Sequence, residues 1–87
     1  MNFILKKFWA PWCKPCLTLS PILESSLKNF NNIIFESVNI DLDPNQAFDL
    51  DIKSIPTLVF IKDGKPIDRL IGVHSKEEIE EFFYKNI

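Results

Sequence analysis

The chain carries two cysteines, Cys13 and Cys16. They stand where an apolar, strand-like run gives way to a helix-like one, in Trp12-Cys13-Lys14-Pro15-Cys16. Residues at i and i+3 on a first helical turn share a face, close enough to join as a disulfide with little backbone movement. The first cysteine meets the unpaired N–H groups and positive end of the helix, which favour a thiolate over a thiol. Cys13 is therefore the expected nucleophile. Pro15 falls just inside the helix start, where its missing N–H costs nothing and its fixed φ stiffens the turn between the sulfurs.

Around this turn the chain reads as alternating short elements. Phe3 to Trp9 is apolar on both parities apart from Lys6 and Lys7, the pattern of a central strand covered on both faces. A helix follows from about Lys14 to Asn29, with Cys16, Leu19, Leu23, Leu27 and Phe30 as its buried stripe. On that stripe Cys16 points inward and Cys13 does not. Pro21 removes a backbone donor inside this helix and is expected to bend it. Ile33 to Ile40 reads as a second strand, so strand, helix and strand form a right-handed parallel crossover. Asp43 and Pro44 open a short helix to about Leu50. Thr57 to Ile61 and Ile67 to Ile71 are antiparallel strands joined by a turn at Lys62-Asp63-Gly64-Lys65. Ser75 and Glu78 form a capping box that opens a last helix with Ile79, Phe82 and Phe83 on its apolar face. The fold class is α/β, ordered β-α-β-α-β-β-α, with a four-stranded mixed sheet flanked by three helices.

Composition excludes several functions. A net charge of −2 gives no excess of Lys and Arg for binding nucleic acid. No apolar run approaches the roughly 20 residues that span a bilayer, and Met1 to Lys7 has no secretory h-region or cleavage site. The setting expected from this is a reducing cytoplasm, where a lone C-x-x-C is more often catalytic than structural.

The chain resembles the thioredoxin superfamily, and within it thioredoxin more than glutaredoxin. The resemblance is carried by Phe8-Trp9-Ala10-Pro11-Trp12-Cys13-Lys14-Pro15-Cys16, Pro21, Val38-Asn39-Ile40-Asp41, Ile55-Pro56-Thr57 and Gly72, which cover almost the whole chain. It implies thiol-disulfide exchange on protein disulfides, in which Cys13 attacks and Cys16 then resolves the mixed disulfide. It implies no bound cofactor beyond a redox-active Cys13–Cys16 disulfide. The expected partners are disulfide-containing protein substrates and a thioredoxin reductase, with glutathione as the alternative donor, and the expected state is a monomer. Residues 1–87 then form one domain without the N-terminal strand and helix of full-length thioredoxins, which leaves strand Ile33 to Ile40 as an exposed edge.

The resemblance also implies a cis bond at Ile55-Pro56 and an apolar contact surface around Cys13 made by Trp12, Pro15, Ile55, Pro56, Gly72 and Val73. On the residues alone, an ordinary trans proline opening an edge strand is the better reading of Pro56. Three positions depart from the common pattern. Lys14 stands between the cysteines in place of a glycine, where its charge lowers the Cys13 pKa unless solvent screens it. Lys7 replaces a buried acid; its ammonium either stabilises the Cys16 thiolate or snorkels to water. Ser37 replaces that acid's lysine partner. Other readings of the cysteines are a zinc site with His74, which is short of ligands, a structural disulfide closing too small a loop to gain much, and a docking module with incidental thiols. His74 itself reads as a solvated loop residue.

Overall fold

The computed structural model describes residues 3–87. Its elements are β1 (Phe3–Trp9), α1 (Lys14–Leu27), β2 (Ile33–Asn39), α2 (Pro44–Asp49), β3 (Thr57–Lys62), β4 (Lys65–Ile71) and α3 (Lys76–Asn86). The sheet order is β2-β1-β3-β4. β1 runs parallel to β2 and antiparallel to β3, and β3 and β4 form an antiparallel hairpin. The expected element order and mixed sheet are thus observed, with β1 central and β2 on an edge.

The two faces of β1 explain its doubly apolar pattern. Leu5 on one parity joins Leu19 and Leu23 of α1, Leu58 and Phe60 of β3, and Ile79, Phe82 and Phe83 of α3 in the larger core. Phe8 on the other parity joins Val38, Val59 and Ile61, with Ala47, Leu50 and Ile52 from α2 and its exit packed against them. α1 and α3 therefore lie together on one face, and the short α2 covers the other.

Local chemistry closes the connections. Asp43 caps α2 by accepting from the Gln46 N–H, with Pro44 next to it in the first turn. Asp63 and Gly64 both adopt positive φ, 51° and 83°, the backbone that a two-residue hairpin needs to match strand twist. That tight turn lets Lys62 pair with Lys65, so β4 begins two residues before the expected Ile67. α1 ends at Leu27 rather than Asn29. The Phe30 N–H closes a turn on the Leu27 carbonyl at 3.0 Å, and the Phe30 ring swings back edge-on against Phe83 and Tyr84, 5.0 Å from each. Burying this aromatic competes successfully with two more residues of helix.

The capping box of α3 is complete: Ser75 Oγ accepts from the Glu78 N–H at 3.1 Å and the Glu78 carboxylate accepts from the Ser75 N–H at 3.0 Å. Ser75→Ala is expected to cost about 1 kcal/mol, read as a lower urea midpoint at unchanged slope; no change would show the box to be energetically idle. These bonds from Ser75, with His74 alongside, hold Glu78 below the usual carboxylate range. Burial pushes Asp68 upward, but bonds from Asn86, Lys85 and the Arg69 N–H outweigh it and hold this carboxyl low as well. For both groups the unfolded chain binds protons more tightly than the folded one. Their stabilisation is therefore complete above the unfolded carboxylate pKa and lost as pH falls through the folded values. Acid titration of the melting temperature should show a decline that flattens when Asp68→Asn and Glu78→Gln are combined.

Candidate active site

β1 and β2 run parallel, so their C-terminal ends emerge at the same edge of the sheet, and the α/β site forms there. β1 ends at Trp9, and Ala10 to Cys13 make the turn into α1. Cys13 is the N-cap of that helix, with extended backbone at φ −90° and ψ 103°. Its sulfur accepts the Cys16 N–H at 3.3 Å. The helix therefore offers one of its unpaired donors directly to this sulfur.

Cys13 and Cys16 are joined as a disulfide, with their Cα atoms 5.3 Å apart. Both are buried, Cys13 at 4% and Cys16 at 1% exposure, in a cluster with Ala10. The burial of Cys13 differs from the expectation that only Cys16 faces inward. Cys13 sits at the cap instead of within the helical stripe, and Ile55, Ile40 and Trp9 pack against the cysteine cluster. The Ile55-Pro56 bond is cis. The Pro56 carbonyl accepts the Gly72 N–H at 2.8 Å, which ties the two loops together.

Of the residues expected to form a contact surface, Trp12 is 66% and Val73 40% exposed. Pro15 is exposed, and Ile55 and Gly72 are half-buried. Pro56 is buried. Lys14 is exposed at the helix start.

The structure adds Asp41 to the site. Its carboxylate accepts the Trp12 indole N–H at 3.1 and 3.3 Å, pinning an exposed aromatic beside the cysteines. The signal was available, because Asp41 follows β2 by two residues and parallel neighbours deliver their loops to one place. His74 lies in the loop after Gly72, where Nε2 is 2.8 Å from the Ile71 carbonyl and Nδ1 3.5 Å from the Glu78 carboxylate. It therefore serves the start of α3.

Lys7 does not snorkel. At 6% exposure it is buried on β1, with Nζ donating to Ser20 Oγ and, at 3.4 Å, to the Cys16 carbonyl. Burial pushes its pKa below the ordinary lysine value, and Glu24 partly holds it up. Among the described residues, no three His, Cys, Asp or Glu side chains cluster so as to hold a metal ion.

A cysteine pair closed as a disulfide at a helix N-terminus, beside a cis-proline loop and an exposed tryptophan, defines a dithiol-disulfide oxidoreductase. Comparison with known proteins places it more closely. The Thioredoxin family model matches residues 1–85. The thioredoxin of Buchnera aphidicola subsp. Acyrthosiphon pisum is 41% identical over 87 residues, covering 99% of this chain and 81% of that one. That of Chlamydia caviae is 41% identical over 78 residues, covering 90% and 76%. The X-ray structure of Fasciola hepatica thioredoxin superposes with a TM-score of 0.90 at 31% identity, covering 99% of this chain and 82% of that one. The chain belongs to the thioredoxin family, and its activity is protein disulfide oxidoreduction by the Cys13 and Cys16 dithiol.

Proposed function

We propose that Cys13 is the attacking thiolate, that Cys16 resolves the mixed disulfide, and that the net flow is reduction of protein disulfides. The observation that carries this assignment is the hydrogen bond from the Cys16 N–H to Cys13 Sγ at the helix start. A donor aimed at one sulfur lowers the pKa of that sulfur selectively. Reduced Cys13 attacks the substrate disulfide, the first substrate sulfur leaves as a thiolate, and Cys16 then attacks Cys13 to release the second. The chain ends oxidised and the substrate gains two electrons.

Trp12, Val73 and Pro15 supply the apolar surface for the substrate, and the Ile55 backbone pairs with an extended substrate segment as an added strand. Pro56 and Gly72 shape the loops beneath them. Residues 1–87 act as one monomeric domain in a reducing cytoplasm. Electrons come from a thioredoxin reductase, the partner that family membership supports.

The test is the equilibrium potential of the Cys13/Cys16 couple, titrated against dithiol and glutathione buffers and read by thiol-labelling mass shift. A strongly reducing value supports the reductant role. A value near the glutathione couple would turn the net direction round, and no reversible couple would refute exchange altogether. Lys14→Ala should move the potential by less than about 30 mV, because the charge is exposed and a tenfold change in equilibrium corresponds to about 30 mV. A larger shift, suppressed by salt, would make Lys14 an electrostatic partner of Cys13.

A further inference from the structure

A groove of about 210 Å³ opens between α1 and β2 and reaches Cys16 from the side of the sheet. Lys7, Trp9, Ser20, Glu24 and Ser37 line it together with Cys16. We propose that Lys7 and Glu24 act through this groove as opposed positioning charges on Cys16, Lys7 favouring its thiolate and Glu24 opposing it, so that the pair tunes the resolving step. This rests on the reading of Cys16 as the resolving thiol.

The geometry makes the pairing specific. Lys7 Nζ is anchored to the α1 turn that carries Cys16, through the Cys16 carbonyl and Ser20 Oγ, and Ser20 Oγ itself donates to the Cys16 carbonyl at 3.1 Å. Ser37 of β2 and Leu58 of β3 stand opposite Lys7 in the sheet register, and neither carries charge. Lys6 and Glu36, the nearest other ions on β1 and β2, pair with each other at 3.8 Å, and neither lines the groove. The titratable side chains lining the groove are thus Lys7, Glu24 and Cys16. Glu24 interacts electrostatically with Lys7 and helps to hold its ammonium charged; acting directly on Cys16, the two charges have opposite signs.

The step balances. In the mixed disulfide, the Cys16 S–H gives its proton to solvent through the groove, and the thiolate attacks Cys13 Sγ. The Cys13–Cys16 bond forms as the bond from Cys13 to the substrate breaks, and the substrate sulfur leaves with the electron pair and takes up a proton. Lys7 raises the thiolate population without accepting the proton. A one-unit rise in the Cys16 pKa means about tenfold fewer thiolates near neutral pH, partly offset by a roughly threefold better nucleophile, so release slows about threefold.

The experiment measures the Cys16 pKa by ultraviolet thiolate absorbance in a Cys13→Ser background, which needs no exchange activity. Lys7→Met should raise it by about one, Lys7→Arg should leave it close to the parent, and Glu24→Gln should lower it. The pH profile of mixed-disulfide release in the protein with both cysteines should shift in the same directions. An unmoved pKa in Lys7→Met, or a shift of the same sign in Lys7→Met and Glu24→Gln, overturns the proposal. If Lys7→Met does not fold, Lys7→Gln, which removes the charge and keeps a polar partner for Ser20, supplies the comparison. Loss of any reversible couple in the parent would refute exchange, yet the single-thiol pKa comparison would still test the two charges.

Discussion

Replacing Cys13 with serine is expected to reduce protein-disulfide reduction to background, while Cys16→Ser retains the attack and accumulates a covalent adduct. A serine hydroxyl neither ionises near neutral pH nor forms a disulfide, so Cys13→Ser removes both the nucleophile and the redox couple. Cys16→Ser leaves Cys13 at the helix start with the residue-16 N–H still aimed at its sulfur. It lacks only the thiol that would release the substrate. The two variants should therefore be equally inactive in turnover and opposite in adduct formation, measured by intact mass after mixing with a disulfide-bearing protein. An adduct formed by Cys13→Ser and not by Cys16→Ser would reverse the roles of the two sulfurs. Neither substitution disturbs much packing volume, so both variants should retain the parent's circular dichroism spectrum.

Phe60→Ala is expected to cost about 3–5 kcal/mol of stability. Phe60 has no exposure and lies mid-strand in β3. Its ring meets Phe82 edge-on at 6.0 Å, with Phe3 at 5.9 Å and Phe83 at 6.4 Å. The substitution therefore removes a fully buried ring, its aromatic contacts and the filling between sheet and α3 at once. A domain of this size holds roughly 5–15 kcal/mol in total, so the loss brings the variant to the edge of folding at ambient temperature. Urea titration should show the midpoint falling at unchanged slope. Phe48→Ala provides the contrast, because Phe48 on α2 is 85% exposed and its loss should stay within about 0.5 kcal/mol. A cost below about 1 kcal/mol for Phe60→Ala would mean that the aromatic cluster does not hold α3 to the sheet.

Several positions show why some of this was legible from residues alone. The i, i+3 spacing of the cysteines, the Asp43-Pro44 and Ser75/Glu78 helix starts and the Asp63-Gly64 turn act over fewer than about five residues, where backbone sterics and single hydrogen bonds decide the outcome. Each appears in the structure at the expected place. The doubly apolar pattern of Phe3 to Trp9 likewise announced a central strand, because both faces of β1 meet core. α1 ends two residues before the point that periodicity marks, because periodicity does not show that Phe30 has an aromatic pocket waiting.

What the sequence determined by itself was the order of the elements, the pairing of the cysteines at a helix start and the class of chemistry that follows. These depend on neighbours along the chain. Tertiary structure alone decided that Cys13 is enclosed by Ile55 and Ala10, that Asp41 holds Trp12, and that Lys7 is sealed against the Cys16 turn with Glu24 lining the same groove. Each of these joins residues far apart in the chain, or sets the solvent exposure of a charge. Both depend on how the loops and layers pack, and a linear pattern carries neither.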